Sequence, residues 1–191
     1  MADTADTAQR ILDIAERLVQ TRGFNGFSYA DIAGPLRITK ASLHYHFPAK
    51  AVLGKRLIER YERNFLGALA AIERSGTDAR QKLRRYAAIY RDVLNNNRMC
   101  LCGMLAAEYE TLAPPIRSAV LAFLDENESW LARVLEQGRE DGSVRFGGSA
   151  ADTAGSILGG LEGTMLVARS YGDPERFEAS AQRLLAGLTG S

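Results

Sequence analysis

From Lys50 onward the apolar residues Leu57, Tyr61, Phe65, Leu69 and Ile72 recur every three or four positions, with charges between them. That spacing lines one face of an α-helix; a strand would need strict alternation. The same period governs most of the chain. Ile11, Leu12, Ala15, Leu18 and Val19 predict a helix from about Thr7 to Arg22, stopped by Gly23. Leu83, Tyr86, Tyr90 and Leu94 predict another over 79–96, and "MCLCGMLAAEYETL" resumes the pattern until Pro114-Pro115 stops it. Pro115 opens the next helix, which runs to about Asp141 with Val120, Phe123, Trp130, Leu131 and Val134 inward. Two more are expected over 150–171 and 174–188. With no alternating run long enough for a strand, the expected fold class is all-α.

A chain of 191 residues with 46% hydrophobic content can bury a core as one large or two small domains. The longest apolar region, 156–168, is interrupted by Glu162, so no membrane span is expected, and no export signal is visible. Two cysteines, Cys100 and Cys102, make neither a disulfide framework nor a zinc site. A reducing cytoplasm fits best, and no metal or cofactor is expected. The formal net charge is only +1, but it is unevenly spread: residues 1–60 carry nine Lys/Arg against six Asp/Glu, and the rest carry fifteen against seventeen. Any contact with a polyanion therefore belongs to the front end.

That front end holds the most specific signal. Phe24 and Phe27 flank the turn "GFNGF", and "SYAD" follows, in which Ser28 and Asp31 have the spacing of a capping box. Thr39 is placed to cap a short helix, Lys40 to His46, which Pro48 closes. In "TKASLHYHFPAK" the two histidines lie two positions apart, on diverging sides of a helix, so they cannot share a metal. The geometry lets Leu43, His46 and Phe47 face a small core while Lys40, Ala41, Ser42, His44 and Tyr45 face outward. Hydroxyls, an imidazole, a phenol and a cation on a helix with a positively polarised start suit phosphate oxygens and base edges in a DNA major groove.

Helix, "FSYADIA", turn and "ITKASLHYHFPAKAVL" together resemble the helix-turn-helix of the TetR family of bacterial transcription regulators, over about residues 7–58. The matching positions are Ser28, Ile32-Ala33, Leu43, His46-Phe47 and Lys50. The resemblance implies that the helix from Thr39 and Lys40 enters the major groove while Ser28, Tyr29, Tyr45 and Lys50 hold phosphates. His44 stands where the family has Tyr. Pro35 and Arg37 replace a small residue and the turn glycine, so the second helix is expected to end early or kink, and Arg37 reads equally as a backbone phosphate contact or as a solvated turn residue. The division expected is a DNA-binding domain over 1–49 and a helical ligand-binding and dimerisation domain over 50–191.

In the larger module Gly155, Gly159 and Gly163 recur every fourth residue. Each glycine costs helix stability, about 1 kcal/mol relative to alanine, so a close helix approach is the expected return. Since similar regulators dimerise through their last two helices, the stripe is assigned to a homodimer interface, and a two-fold dimer implies a pseudo-palindromic double-stranded DNA operator with half-sites about 34 Å apart. Tyr61, Phe65, Tyr86, Tyr90, Met104, Trp130 and Met165 read, taken alone, as plain core before the lining of a cavity; the resemblance, which implies a small-molecule effector in this bundle, tilts the balance to the cavity. The segment "CLCGMLAAE", with "LEQGREDG" further on, resembles a branch of the family in which a cysteine at the position of Cys100 responds to electrophiles or oxidants. Arg98 and a helix start are the expected means of activating that thiol, against the plainer reading of a buried small hydrophobe.

Two other classes were weighed. An enzyme lacks its machinery: there is no H-E-x-x-H, G-x-S-x-G or phosphate-binding glycine loop. A non-specific architectural DNA binder calls for a far more basic chain.

Overall fold

The computed structural model describes residues 2–188, with side chains from residue 6. Among them are nine α-helices and one 3-10 turn, and no strand: α1 (Ala2–Arg22), α2 (Tyr29–Leu36), α3 (Lys40–His46), α4 (Lys50–Arg74), α5 (Ala79–Asn95), α6 (Leu101–Ala107), the 3-10 turn (Tyr109–Thr111), α7 (Pro114–Glu140), α8 (Ala150–Ser170) and α9 (Pro174–Ala186). The all-α reading holds, and most boundaries fall where capping chemistry put them. Thr39, Asp78, Ser149 and Asp173 each accept a hydrogen bond from an amide in the first turn of the helix they precede. The stretch after Arg98 departs most from expectation: α6 has only seven residues, and at Glu108 the chain tightens into the 3-10 turn before Pro114 restarts the helix.

The chain forms two compact units. The first comprises Met1–Asn64 with Leu101–Ala122, the second Phe65–Cys100 with Phe123–Ser191.

In the first unit Ile11, Ala15 and Val19 of α1, Ile32 of α2 and Leu43 of α3 are buried together with Phe24, Phe27 and Phe47. The Arg60 guanidinium of α4 reaches Asp13 and Glu16 of α1, both at 2.6 Å, a two-pronged contact that fixes one helix against the other. A Cβ at Gly54 would lie 2.6 Å from Ile116 Cδ1 and 2.9 Å from the Phe24 ring, so only hydrogen fits there.

The second unit is built on α5, α8 and α9 with the later parts of α4 and α7. Its core is aromatic and contains polar groups: the Phe65 ring meets Tyr86, Tyr90 and Phe123 edge-on, and Trp130 stacks on Tyr86 with 5.4 Å between ring centroids. The Tyr86 hydroxyl donates to Asn127 Oδ1 at 3.0 Å and lies 3.0 Å from the Tyr90 hydroxyl, and Asn127 Nδ2 donates to the Phe123 carbonyl at 2.7 Å. A buried network of this kind stays stable only if its members satisfy one another.

Candidate nucleic-acid interface

Two backbone devices aim α3. Asp31 Oδ2 accepts from the Ser28 amide at 2.8 Å and from the Ser28 hydroxyl at 2.7 Å, closing the capping box that starts α2. α2 does not end early. It continues through Pro35 to Leu36 and stops at Arg37, which takes up the left-handed conformation (φ 55°, ψ 39°) usually given to glycine. The Arg37 amide then bonds the Gly34 carbonyl and the Ile38 amide the Ala33 carbonyl, so the turn into Thr39 is formed without glycine.

α3 is anchored by Leu43, which is fully buried, and by Phe47 just after it. Thr39 Oγ1 accepts from the Ser42 amide at 3.0 Å. Lys40, Ala41, His44 and Tyr45 are exposed and Ser42 is half-buried; Tyr45 reaches 78% exposure, a value an apolar ring rarely has without a purpose. His46, expected against the core, is half-buried, its ring edge-on to Tyr45 at 5.4 Å. His44 Nδ1 lies 3.2 Å from the Pro48 carbonyl; a carbonyl only accepts, so Nδ1 is the donor of this contact and Nε2 is not used by it.

Three residues assigned to phosphate are also structural. The Tyr29 hydroxyl donates to the Phe47 carbonyl at 2.8 Å, bracing α2 against the end of α3, and desolvation raises its pKa to about 12, so it stays protonated. The Lys50 ammonium donates to the Phe27 carbonyl and sits over the rings of Phe24 and Phe27 at 4.9 and 4.1 Å. Burial pulls its pKa down, against which the charges of Glu108 and Asp31 work. Ser28 is exposed but committed to Asp31.

Sequence reasoning missed Glu108. Its carboxylate accepts from the Phe24 amide at 2.6 Å and the Asn25 amide at 3.3 Å, and Thr111 Oγ1 accepts from Asn25 Nδ2 at 2.7 Å. The segment after α6 is thus fastened to the "GFNGF" turn, 83 or more residues earlier. The quoted "AAE" held the residue, but nothing local shows its partner.

The residues assigned to a ligand are divided between the units: Tyr61 and Met104 belong to the first, and Phe65, Tyr86, Tyr90, Cys100, Trp130 and Met165 to the second. Within the second, the Cys100 amide donates to Met165 Sδ at 3.4 Å. The Cys100 thiol is hydrogen-bonded to the carboxyl of Glu162, the residue that in the sequence served only to exclude a membrane span. Both cysteines are buried free thiols. Along α8, Gly159 and Gly163 are exposed with nothing near the place of a Cβ, a Cβ at Gly155 would lie 3.5 Å from the Glu128 carboxylate, and one at Gly160, outside the four-residue repeat, would lie 2.9 Å from Leu184 of α9. No helix among the described residues is long and apolar enough to cross a membrane.

A capped turn that presents a short polar helix with a buried Leu43 anchor is the form of a helix-turn-helix DNA-binding element, and the chain belongs to the TetR family of bacterial regulatory proteins: the family's N-terminal model matches residues 11–57, and the tetracyclin repressor-like C-terminal domain matches 79–184. It is accordingly a DNA-binding transcriptional regulator and not an enzyme. The chain is similar to the HTH-type transcriptional repressor NemR of Escherichia coli K12, 26% identical over 95% of this chain and 94% of the relative. A TetR-family regulator from Agrobacterium tumefaciens superposes with TM-score 0.94 at 31% identity, covering 98% of this chain and all of the other. E. coli NemR in its reduced form superposes with TM-score 0.82 at 26% identity, over 96% and 97% of the two chains.

Proposed function

We propose that the protein is a repressor that occupies a pseudo-palindromic operator as a homodimer and leaves it when a small electrophile reacts at Cys100. The observation that carries the reading is the outward face of α3, where Lys40, Ala41, His44 and Tyr45 are exposed around a buried Leu43 anchor. In this reading the head is 1–49 and the effector and dimer functions belong to 50–191. Lys40, Thr39, Arg37 and Tyr45 meet phosphates, with Ser28 as a weaker contact. Ala41, Ser42 and the free Nε2 of His44 meet base edges. Tyr29 and Lys50 hold the head rigid; Lys50 offers its remaining protons to the backbone of the duplex, and Tyr29 reaches a phosphate only by giving up its bond to Phe47.

The dimer reading is supported by the stripe on α8. Gly159 and Gly163 have no intrachain neighbour, and Leu166 and Val167, one to two turns on, are 57% and 47% exposed. Small and apolar residues left bare on one face suit a second copy of the same helix. Repression is supported by the names of the curated relatives, NemR and the DhaR repressor of Mycobacterium sp. GP1. Electrophile response is supported by the buried thiol of Cys100, which lies beside Met165 and interacts with Tyr86 and Tyr90. Operator release is tested by a footprint on the DNA upstream of its own gene, with and without an unsaturated aldehyde. Release is expected for the wild type and for Cys102→Ser, and its loss for Cys100→Ser; an identical response in both variants sinks the electrophile reading.

A further inference from the structure

The polar groups inside the second unit do not balance. Glu162 of α8 receives the Cys100 thiol, yet its Oε1 is buried with no hydrogen-bond partner. Trp130, 3% exposed and stacked on Tyr86, likewise has an indole N–H with no acceptor. A buried orphan acceptor and a buried orphan donor in one aromatic cluster are costly unless something else uses them. The sequence expected Arg98 to activate Cys100; the group that touches the sulfur is an acid.

We propose that Glu162 is the proton acceptor for Cys100, and that the pair takes small, uncharged α,β-unsaturated carbonyl compounds by conjugate addition. This deepens the electrophile reading above and rests on it. The thiol proton passes to the Glu162 carboxylate as the sulfur bonds the β-carbon. The C=C π pair moves onto the α-carbon and carbonyl oxygen as an enolate. The α-carbon then takes the proton back, leaving a thioether and an ionised Glu162; S–H has added across C=C and no oxidant is needed. Cys100 is 1% exposed, so a molecule that reaches the thiol must shed its water, a cost that a small neutral compound meets and a charged one does not. The carbonyl oxygen of such a molecule supplies the acceptor that the Trp130 indole lacks.

Burial pushes the Glu162 carboxyl up to about 7, with the Cys100 hydrogen bond opposing. A base works best when its pKa lies near the working pH. The other ionisable groups that interact across this cluster are Tyr86 and Tyr90 of α5, both raised by burial and so neutral, and Glu128 of α7, which acts on Tyr86. Only the ionised carboxylate accepts a proton, so addition accelerates as pH rises through about 7.

The test measures acrolein addition to full-length protein by mass spectrometry of the Cys100 peptide, in a Cys102→Ser background, from pH 5.5 to 9.5. The expected result is a rate that rises through pH 7 toward a shoulder, and a Glu162→Gln rate about 10²-fold lower at pH 7. In that variant the rate should climb only with the thiolate fraction and meet the parent rate above pH 9. A variant that matches the parent at pH 7, or that is slower by one constant factor at every pH, overturns the proposal, as does a wild-type Cys100 that stays unmodified. If addition proceeds as expected but the operator complex survives it, the repressor-release reading fails while the Glu162 assignment stands.

Discussion

Arg37 bears most of the local strain in the reading head. A side chain in the left-handed region costs about 1–2 kcal/mol, and glycine removes that cost at the price of a looser unfolded chain. Arg37→Gly is therefore expected to stabilise the protein by about 1 kcal/mol, read as a rise in Tm, while weakening operator binding and flattening its salt dependence by the loss of one phosphate contact. Stability and affinity moving in the same direction would remove Arg37 from the interface. Tyr29 illustrates a different constraint. Its proton is committed to the Phe47 carbonyl, and a phosphate oxygen has none to give back, so contact with a phosphate and the internal brace compete for one hydrogen atom.

At the scale of elements, the turn after α6 gives a sharp expectation. Glu108→Ala leaves the Phe24 and Asn25 amides without their carboxylate and opens the seat of the "GFNGF" turn. A loss of about 2 kcal/mol in denaturant melts is expected, and Glu108→Gln, which keeps one acceptor oxygen, should lose about half as much. Equal melts for all three proteins would make the contact incidental. How much was legible beforehand follows from the range of each interaction. The Thr39 cap and the helix start at the proline pair, expected at Pro115 and found one residue earlier at Pro114, depend on chemistry within four residues, so they could be read directly. The outward set on α3 followed from a 100° step per residue around a buried Leu43. Glu108 with Phe24 and Glu162 with Cys100 are pairings across 84 and 62 positions, and no local pattern encodes them. Pro35 misled for a physical reason: near the end of a short exposed helix the bond it forfeits is one that water replaces, so α2 runs on through it.

For the whole molecule the decisive surface is the bare stripe on α8. A Cβ at Gly159 would meet no neighbouring atom within 4 Å and the position is exposed, so in Gly159→Arg the fold should persist with unchanged helical circular dichroism. A monomer in sedimentation and an operator affinity reduced by orders of magnitude are expected, because one head binds half a site. A dimeric Gly159→Arg protein would move the interface elsewhere. At a net charge of only +1 a general attraction to polyanions is weak, which suits the proposed reading in which binding strength comes from two correctly spaced heads. In the proposed dimer only hydrogen stands at two successive turns of α8, so the gap between paired copies would be set by backbone meeting backbone. Each methyl added there acts as a shim, and the gauge it widens is the distance between the two reading heads on the duplex.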